Sequence, residues 1–496
     1  MKRKLQYSIL ICISCVLLWL GYSYRLPASS NHETNQISHL INRMSFGVTP
    51  GQIGQVKSTG IEAYIQAQLN PKAIAESPKL ENYLNSLDLV NTNSMELFKK
   101  FNDNQQQQKK TEISFEQVEK LKQANREFRA ENQEQVVNAN VARAINSNRQ
   151  LQEVMVNFWF NHFNVDFQKK VVDFWVANYE NDLRTHALGN FRDLLGVTAK
   201  HPAMLIYLDN ELNTAPNSPG VRGPYQGLNE NYARELLELH TLGVEGGYTQ
   251  ADIIALARIF TGWSRHFGNG KGDNNGFIFV KNRHDFDDKV FLGKTIKGSG
   301  LKEGEKALDI LANHPATADH ISYKLAQYFV ADQPPSSLVD TLAQKFLESN
   351  GNIKTVLNTL FHSQEFNDSQ YYQQKFKTPY QYVISMVRAG GIKNPNFNRI
   401  RNMFNQLSMP VYRCPSPDGY KNTKNAWLNP DAILRRVSFA TQIANGYLNK
   451  KQPLDVKQLR ATIGNNFSPK TRQIIAESHP RLKAALMLGS PEMMYR

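Results

Sequence analysis

The chain has 496 residues, 41% of them hydrophobic, and a net charge of +14 at pH 7. Such a length holds enough apolar material for a large packed core of one to three domains, and the composition is that of an ordinary soluble protein. The Lys and Arg are scattered with no run of five, which excludes a polybasic tail and favours a solvated surface, although the surplus still suits anionic neighbours.

Residues Met1-Lys2-Arg3-Lys4 precede a mostly apolar run from Tyr7 to Gly21, and Tyr22 to Pro27 then break it, the order of an export signal. Fifteen residues fall short of the roughly 20 needed to span a bilayer. Two readings stay open over residues 1–23: a cleaved signal peptide, or an uncleaved anchor with Trp19, Tyr22 and Tyr24 at the interface. The first makes the chain periplasmic or secreted; the second anchors it in the inner membrane through its N-terminus. Cleavage leaves +11 and Cys414 as the sole cysteine, so no intramolecular disulfide can form. A linker is expected over 24–38.

Beyond it, apolar residues recur at three- and four-residue spacing, which predicts a mainly α, multi-helical globular domain. A helix over Gly60 to Leu69 ends at Asn70-Pro71. Asn102 to Lys110 is polar and low in complexity, an exposed helix extension or a loop. Ser114 to Phe163 reads as long helix. Asn213 to Gly227, with three Pro and three Gly, must be a loop. The next helix runs from an Asn229 N-cap to Gly243, and Thr249 with Asp252 forms a capping box for a helix reaching Gly262. Gly268 to Gly276 is a loop, and Phe277 to Val280 is a strand expected to pair with Val290 to Leu292, placing a small β-hairpin near residues 277–292.

On the Asn229 helix, Asn231, Arg234, Glu235 and Glu238 share one face and Leu236 and Leu237 the other. Two carboxylates three residues apart, beside an Arg, suit acid–base work or a divalent cation. The competing reading is a solvated face with Glu230–Arg234 and Arg234–Glu238 ion pairs. His162, Asp209, Glu238 and His284 offer imidazole and carboxylate ligands at chain turns, a candidate metal set without tight ligand spacing. Asn229, Asp209 and His201 are candidate substrate contacts. No Gly-x-Ser-x-Gly, phosphate loop or dinucleotide fingerprint is present, and nothing activates Cys414 as a nucleophile.

His39 to Pro50 (HLINRMSFGVTP), Trp159 to Val165 (WFNHFNV), Asn229 to Gly243 (NENYARELLELHTLG) with Gly247-Tyr248-Thr249-Gln250, and Thr261-Gly262-Trp263 are similar to DUF 1800, a bacterial domain of unknown function. His284-Asp285, His314 to Ala318, Lys324-Leu325 and Leu488 to Glu492 extend the resemblance over about 39–496. It implies one integrated domain, an exported protein, and genes often adjacent to sulfatase-like proteins. The chain departs from the family pattern near Leu407 to Cys414, and Tyr420 stands where the family usually has Trp.

Together these readings point to an envelope protein with a pocket formed by the Asn229 helix, the 213–227 loop and the His162 and His284 turns. Two functions are expected. One is a hydrolase-like or metal-binding enzyme acting on an anionic polysaccharide through Glu235, Glu238, Arg234 and Asn231. The other is a non-catalytic assembly protein docking a co-exported sulfatase-like partner. Nucleic-acid binding ranks behind both, since basic charge occurs without interleaved aromatics or a known module.

Overall fold

The computed structural model describes residues 32–110, 113–266 and 273–496. The signal or anchor expected over 1–23 lies outside the described residues. Helices dominate, and strands among the described residues are confined to two short antiparallel pairs. No described helix is long and apolar enough to cross a membrane. Buried apolar side chains form one main cluster running from Leu40 to Tyr495, so both ends of the described chain feed the same core.

The His39 to Pro50 segment shows how. The His32–Met44 helix begins inside the stretch expected to be a linker. From it, His39 Nε2 bonds the Phe366 carbonyl at 3.0 Å and Arg43 donates to the Tyr371 carbonyl at 2.8 Å. Gly47, at φ +117, turns the chain so that its carbonyl receives Arg388 Nε at 2.8 Å. These bonds satisfy backbone oxygens deep in the core, where an unpaired carbonyl is costly.

Several predicted elements form with altered ends. Ile61–Leu69 stops at Asn70. Polar residues 102–108 continue the Ser94–Gln108 helix, and its Asn104 donates to Asn125 of Phe115–Asn146 at 2.9 Å. The latter helix opens on a Ser114–Gln117 capping box and breaks at Ser147 before Gln150–His162 resumes. The Thr249–Asp252 capping box is present, and its helix runs Gln250–Ile259.

The strand pairing differs from the sequence expectation. Phe277–Phe279 forms but pairs with Trp263–Arg265, because Gly262 at φ +78 folds the fully buried Trp263 back beneath it. Lys289–Phe291 pairs instead with Lys294–Ile296, across Leu292 and Gly293 at φ +47 and +71. Two consecutive left-handed residues make the tight turn that matches strand twist, so the nearer partner wins.

Candidate functional site

A cavity of about 370 Å³ opens between the end of Gln150–His162, residues 238–244, the Pro315–Phe329 helix and the 409–423 loop, with Asn140, Glu180 and Tyr380 also on its walls. Two asparagines of the Trp159 to Val165 segment hold that loop. Asn161 accepts the Tyr420 N–H at 2.8 Å and donates to the Tyr420 carbonyl at 2.9 Å. Asn164 donates to the Cys414 and Ser416 carbonyls at 2.9 and 2.8 Å. Tyr207 and Phe167 add bonds to Pro415 and Tyr412. Between the two asparagines, His162 is left lining the cavity.

The Asn229 region is less regular than its apolar period predicts. Asn231–Glu235 is α-helical, and Leu236–His240 widens into a π-turn in which Thr241 Oγ1 reaches the Leu236 carbonyl at 2.6 Å. Such π segments recur at functional sites. The carbonyls of Leu239 and His240, freed at this end, receive imidazoles: His320 Nε2 lies 3.2 Å from Leu239 O, and His162 Nε2 lies 3.1 Å from His240 O.

Burial holds the His162 imidazole well below its usual pKa, with Lys324 adding to the effect, and takes His240 down to about 3 and His320 to about 4. Lys324 stands one helical turn from His320 and lines the same cavity. Burial pushes it down to about 8, against the opposing pull of Asp418. Its ammonium makes no hydrogen bond or contact ion pair among the described residues. Asp418 is itself engaged by Lys421 and Ser416, which outweigh its burial and hold its carboxyl below the ordinary range. Deeper in, Tyr412 donates to Glu180, which also pairs with Arg184, and Arg184 bridges on to Glu153 at 2.9 Å.

A family model described as "Protein of unknown function (DUF1800)" matches residues 39–495. This chain belongs to that family. No curated protein and no solved structure matches it. In this DUF1800 chain the Trp159 to Val165 and Asn229 to Gly243 segments meet at one cavity, while His39 to Pro50 serves the core.

The sequence-predicted residues divide. Glu238 and His162 line the cavity; the Asn213 to Gly227 loop and His284 do not figure among its walls. Arg234 pairs with Glu230 at 3.3 Å and Glu238 at 3.5 Å, the ion pairs of the competing reading. Glu235 is half-buried, and burial, Glu238 and Asp418 together raise its pKa. Asn229 caps the Asn231 N–H at 3.0 Å, and Asn231 donates to the Leu208 carbonyl at 3.2 Å. His201 caps Pro202–Tyr207 through Nδ1 and bonds Asn178 through Nε2 at 2.9 Å, so both its nitrogens are used.

The four-residue metal set is not assembled. Asp209 is taken by Lys169 at 2.7 Å and Lys170 at 2.9 Å, and His284 by Glu303 and Thr261. Among the described residues no group of three or more His, Cys, Asp or Glu is placed to hold a metal ion. Sequence reading passed over His320, Lys324 and Asp418. The signal for the first two was available: a His and a Lys four apart, interleaved with the buried Ile321 and Leu325.

Proposed function

We propose that this DUF1800 protein works in the cell envelope as a hydrolase-like enzyme whose cavity takes an anionic group of an envelope polymer. Lys324 binds the anion, and Glu238 and Asp418, at the same cavity, are the groups available for proton transfer. The observation that carries this reading is Lys324, a cation inside a concave site with no contact partner among the described residues. A partly buried ammonium without a contact partner is costly unless something compensates it, and perturbed groups in clefts concentrate at functional sites. The volume also falls in the ~300–1,000 Å³ range of small-molecule sites. The basic, apolar, breaker order of residues 1–27 supports export.

The Arg234 ion pairs support a second reading for the outer half of the same helix, a docking face for a co-exported, sulfatase-like partner. Calorimetric titration of the mature protein with acidic and neutral oligosaccharides separates the two. Binding of the acidic set alone, weakened at least tenfold in Lys324→Met, is expected. Equal binding of both sets, or indifference to Lys324→Met, would remove the enzyme reading and leave docking.

A further inference from the structure

The charges on the cavity wall are of both signs, and they cancel. Lys324 and Lys421 stand against Glu238 and Asp418, while Glu180 is already held by Arg184 and Tyr412. The two imidazoles on the wall are uncharged, because burial keeps their pKa values well below neutral pH. Lys421 and Asp418 are engaged with each other. The remaining two are open: Lys324 has no contact partner among the described residues, and Glu238 meets Arg234 only at 3.5 Å, with Tyr248 beside it. Arg234 and Tyr248 are not among the cavity walls, and Arg234 is shared with Glu230 at 3.3 Å and Gln250 at 3.0 Å. Since Lys324 and Glu238 form no ion pair with each other, the cavity offers one open pole of each sign.

We infer that the anion taken by this cavity belongs to a zwitterion, with its acid group at Lys324 and a primary ammonium at Glu238. The inference rests on the anionic-ligand reading above and narrows it. A ligand with negative charge alone gains Lys324 but enters a site that also holds Glu238 and Asp418, with no net positive charge to favour it. A ligand with both charges meets an opposite partner at each pole and leaves the cavity balanced. Buried Phe158, Phe160 and Tyr412 line the same space, and their low polarity strengthens both pairs. An ammonium at Glu238 keeps that carboxylate ionised, which leaves Asp418 as the group for proton transfer. The volume of about 370 Å³ equals the liquid share of about a dozen waters. Both charges therefore sit on one compact body, of the size of an amino acid pair or a single amino sugar acid, rather than on distant parts of a polymer.

Calorimetric titration of the full mature chain at neutral pH with two matched pairs of ligands tests this. One pair is alanyl-alanine and lactyl-alanine, the other glucosaminuronate and glucuronate. Within each pair both members carry the carboxylate, and a hydroxyl replaces the ammonium in the second. In at least one pair the ammonium member should bind roughly tenfold or more tightly than its hydroxyl partner, and the pair that shows it names the source, peptide or sugar. That preference should vanish in Glu238→Gln while the hydroxyl member still binds, which shows the variant folded with Lys324 in use. Equal affinity within both pairs, or preference for the hydroxyl members, would overturn the zwitterion and leave the anion reading standing. A preference that survives Glu238→Gln would overturn the placement of the ammonium. Absence of any binding that depends on Lys324 would overturn both readings.

Discussion

Glu303 receives a hydrogen bond from His284 Nε2 at 2.9 Å while both side chains are fully excluded from solvent. Lys289 reaches the other carboxylate oxygen at 2.7 Å, and the N–H groups of Ser299 and Gly300 complete the shell. Burial pushes the Glu303 carboxyl up, but these bonds outweigh it and leave it below the ordinary range. Removing Glu303 leaves Lys289, which is fully excluded from solvent, with only the longer contact to Asp285 at 3.5 Å. Glu303→Gln should therefore cost about 3–5 kcal/mol in urea unfolding, with ligand binding unchanged where the variant folds. A loss under about 1 kcal/mol would mean that Asp285, at 3.5 Å, suffices as the counter-charge of Lys289.

His284 also shows where sequence reading stops. Its residue type and its place after a strand fit a metal ligand, yet nothing local says that Glu303, nineteen residues on, occupies its ring. Helices were legible because burial imposes a period on the chain itself: Leu236 and Leu237 are buried as their spacing requires. The cavity was only half legible. His162 and Glu238 sit in conspicuous polar clusters, whereas Lys324 and His320 lie among apolar neighbours of a helix that reads as core. Asp418 joins them through long-range bonds that hold its loop, chief among them those of Asn161 and Asn164 to residues more than 250 positions away.

Lys324→Met should trade binding for stability. A lysine held at about 8 in the fold against about 10.4 when unfolded burdens the folded state at every pH below 8, and the burden fades as pH rises toward 10. Methionine keeps the stem and removes the charge. The variant should gain about 1–3 kcal/mol near neutral pH, with the gain shrinking in alkaline buffer. Urea midpoints of both proteins across that range check it; a destabilised variant would mean that the ammonium is compensated without ligand.

Stability should fall steeply on mild acidification. His201 and His240 are held at about 3 and His320 at about 4, chiefly by burial, and His39 and His162 also lie well below 6.5. In the unfolded chain each takes up a proton near pH 6.5, but in the fold only far lower, so unfolding binds protons throughout that interval. The stability these neutral rings retain above pH 6.5 is lost progressively as pH drops toward 4. Each contributes about 1.4 kcal/mol per pH unit there, several kcal/mol together by about pH 5.5. Denaturation curves near pH 7 and pH 5.5 test this; coincident midpoints would place these rings in contact with water.

The Glu235 carboxyl reports on its neighbours. Burial raises it most, Glu238 and Asp418 raise it further, and Arg234 opposes them. Glu238→Gln and Asp418→Asn should each lower its midpoint in a ¹³C carboxyl titration, since a removed negative charge eases ionisation, whereas Arg234→Gln should raise it. If Asp418→Asn leaves it unmoved, the 409–423 loop does not approach the Asn231–His240 segment in solution, and the cavity is open on that side.

Gly419 is the residue on which that approach turns. It sits at φ +70, and a Cβ would fall 2.2 Å from the Asn161 carbonyl oxygen. The same asparagine clamps both backbone groups of Tyr420, so the contact cannot relax without releasing the loop. Gly419→Ala should cost roughly 2–4 kcal/mol, from left-handed strain and the backbone clash combined, and should shift Asp418 and Tyr420 away from Lys324. Gly51 is the control: φ is +80 but nothing lies within 4 Å, so Gly51→Ala bears the conformational cost of about 1 kcal/mol alone. If anion binding follows the loop, Gly419→Ala weakens it and Gly51→Ala does not. Equal binding by the two would separate the loop from the site and leave Lys324 to hold the ligand without it.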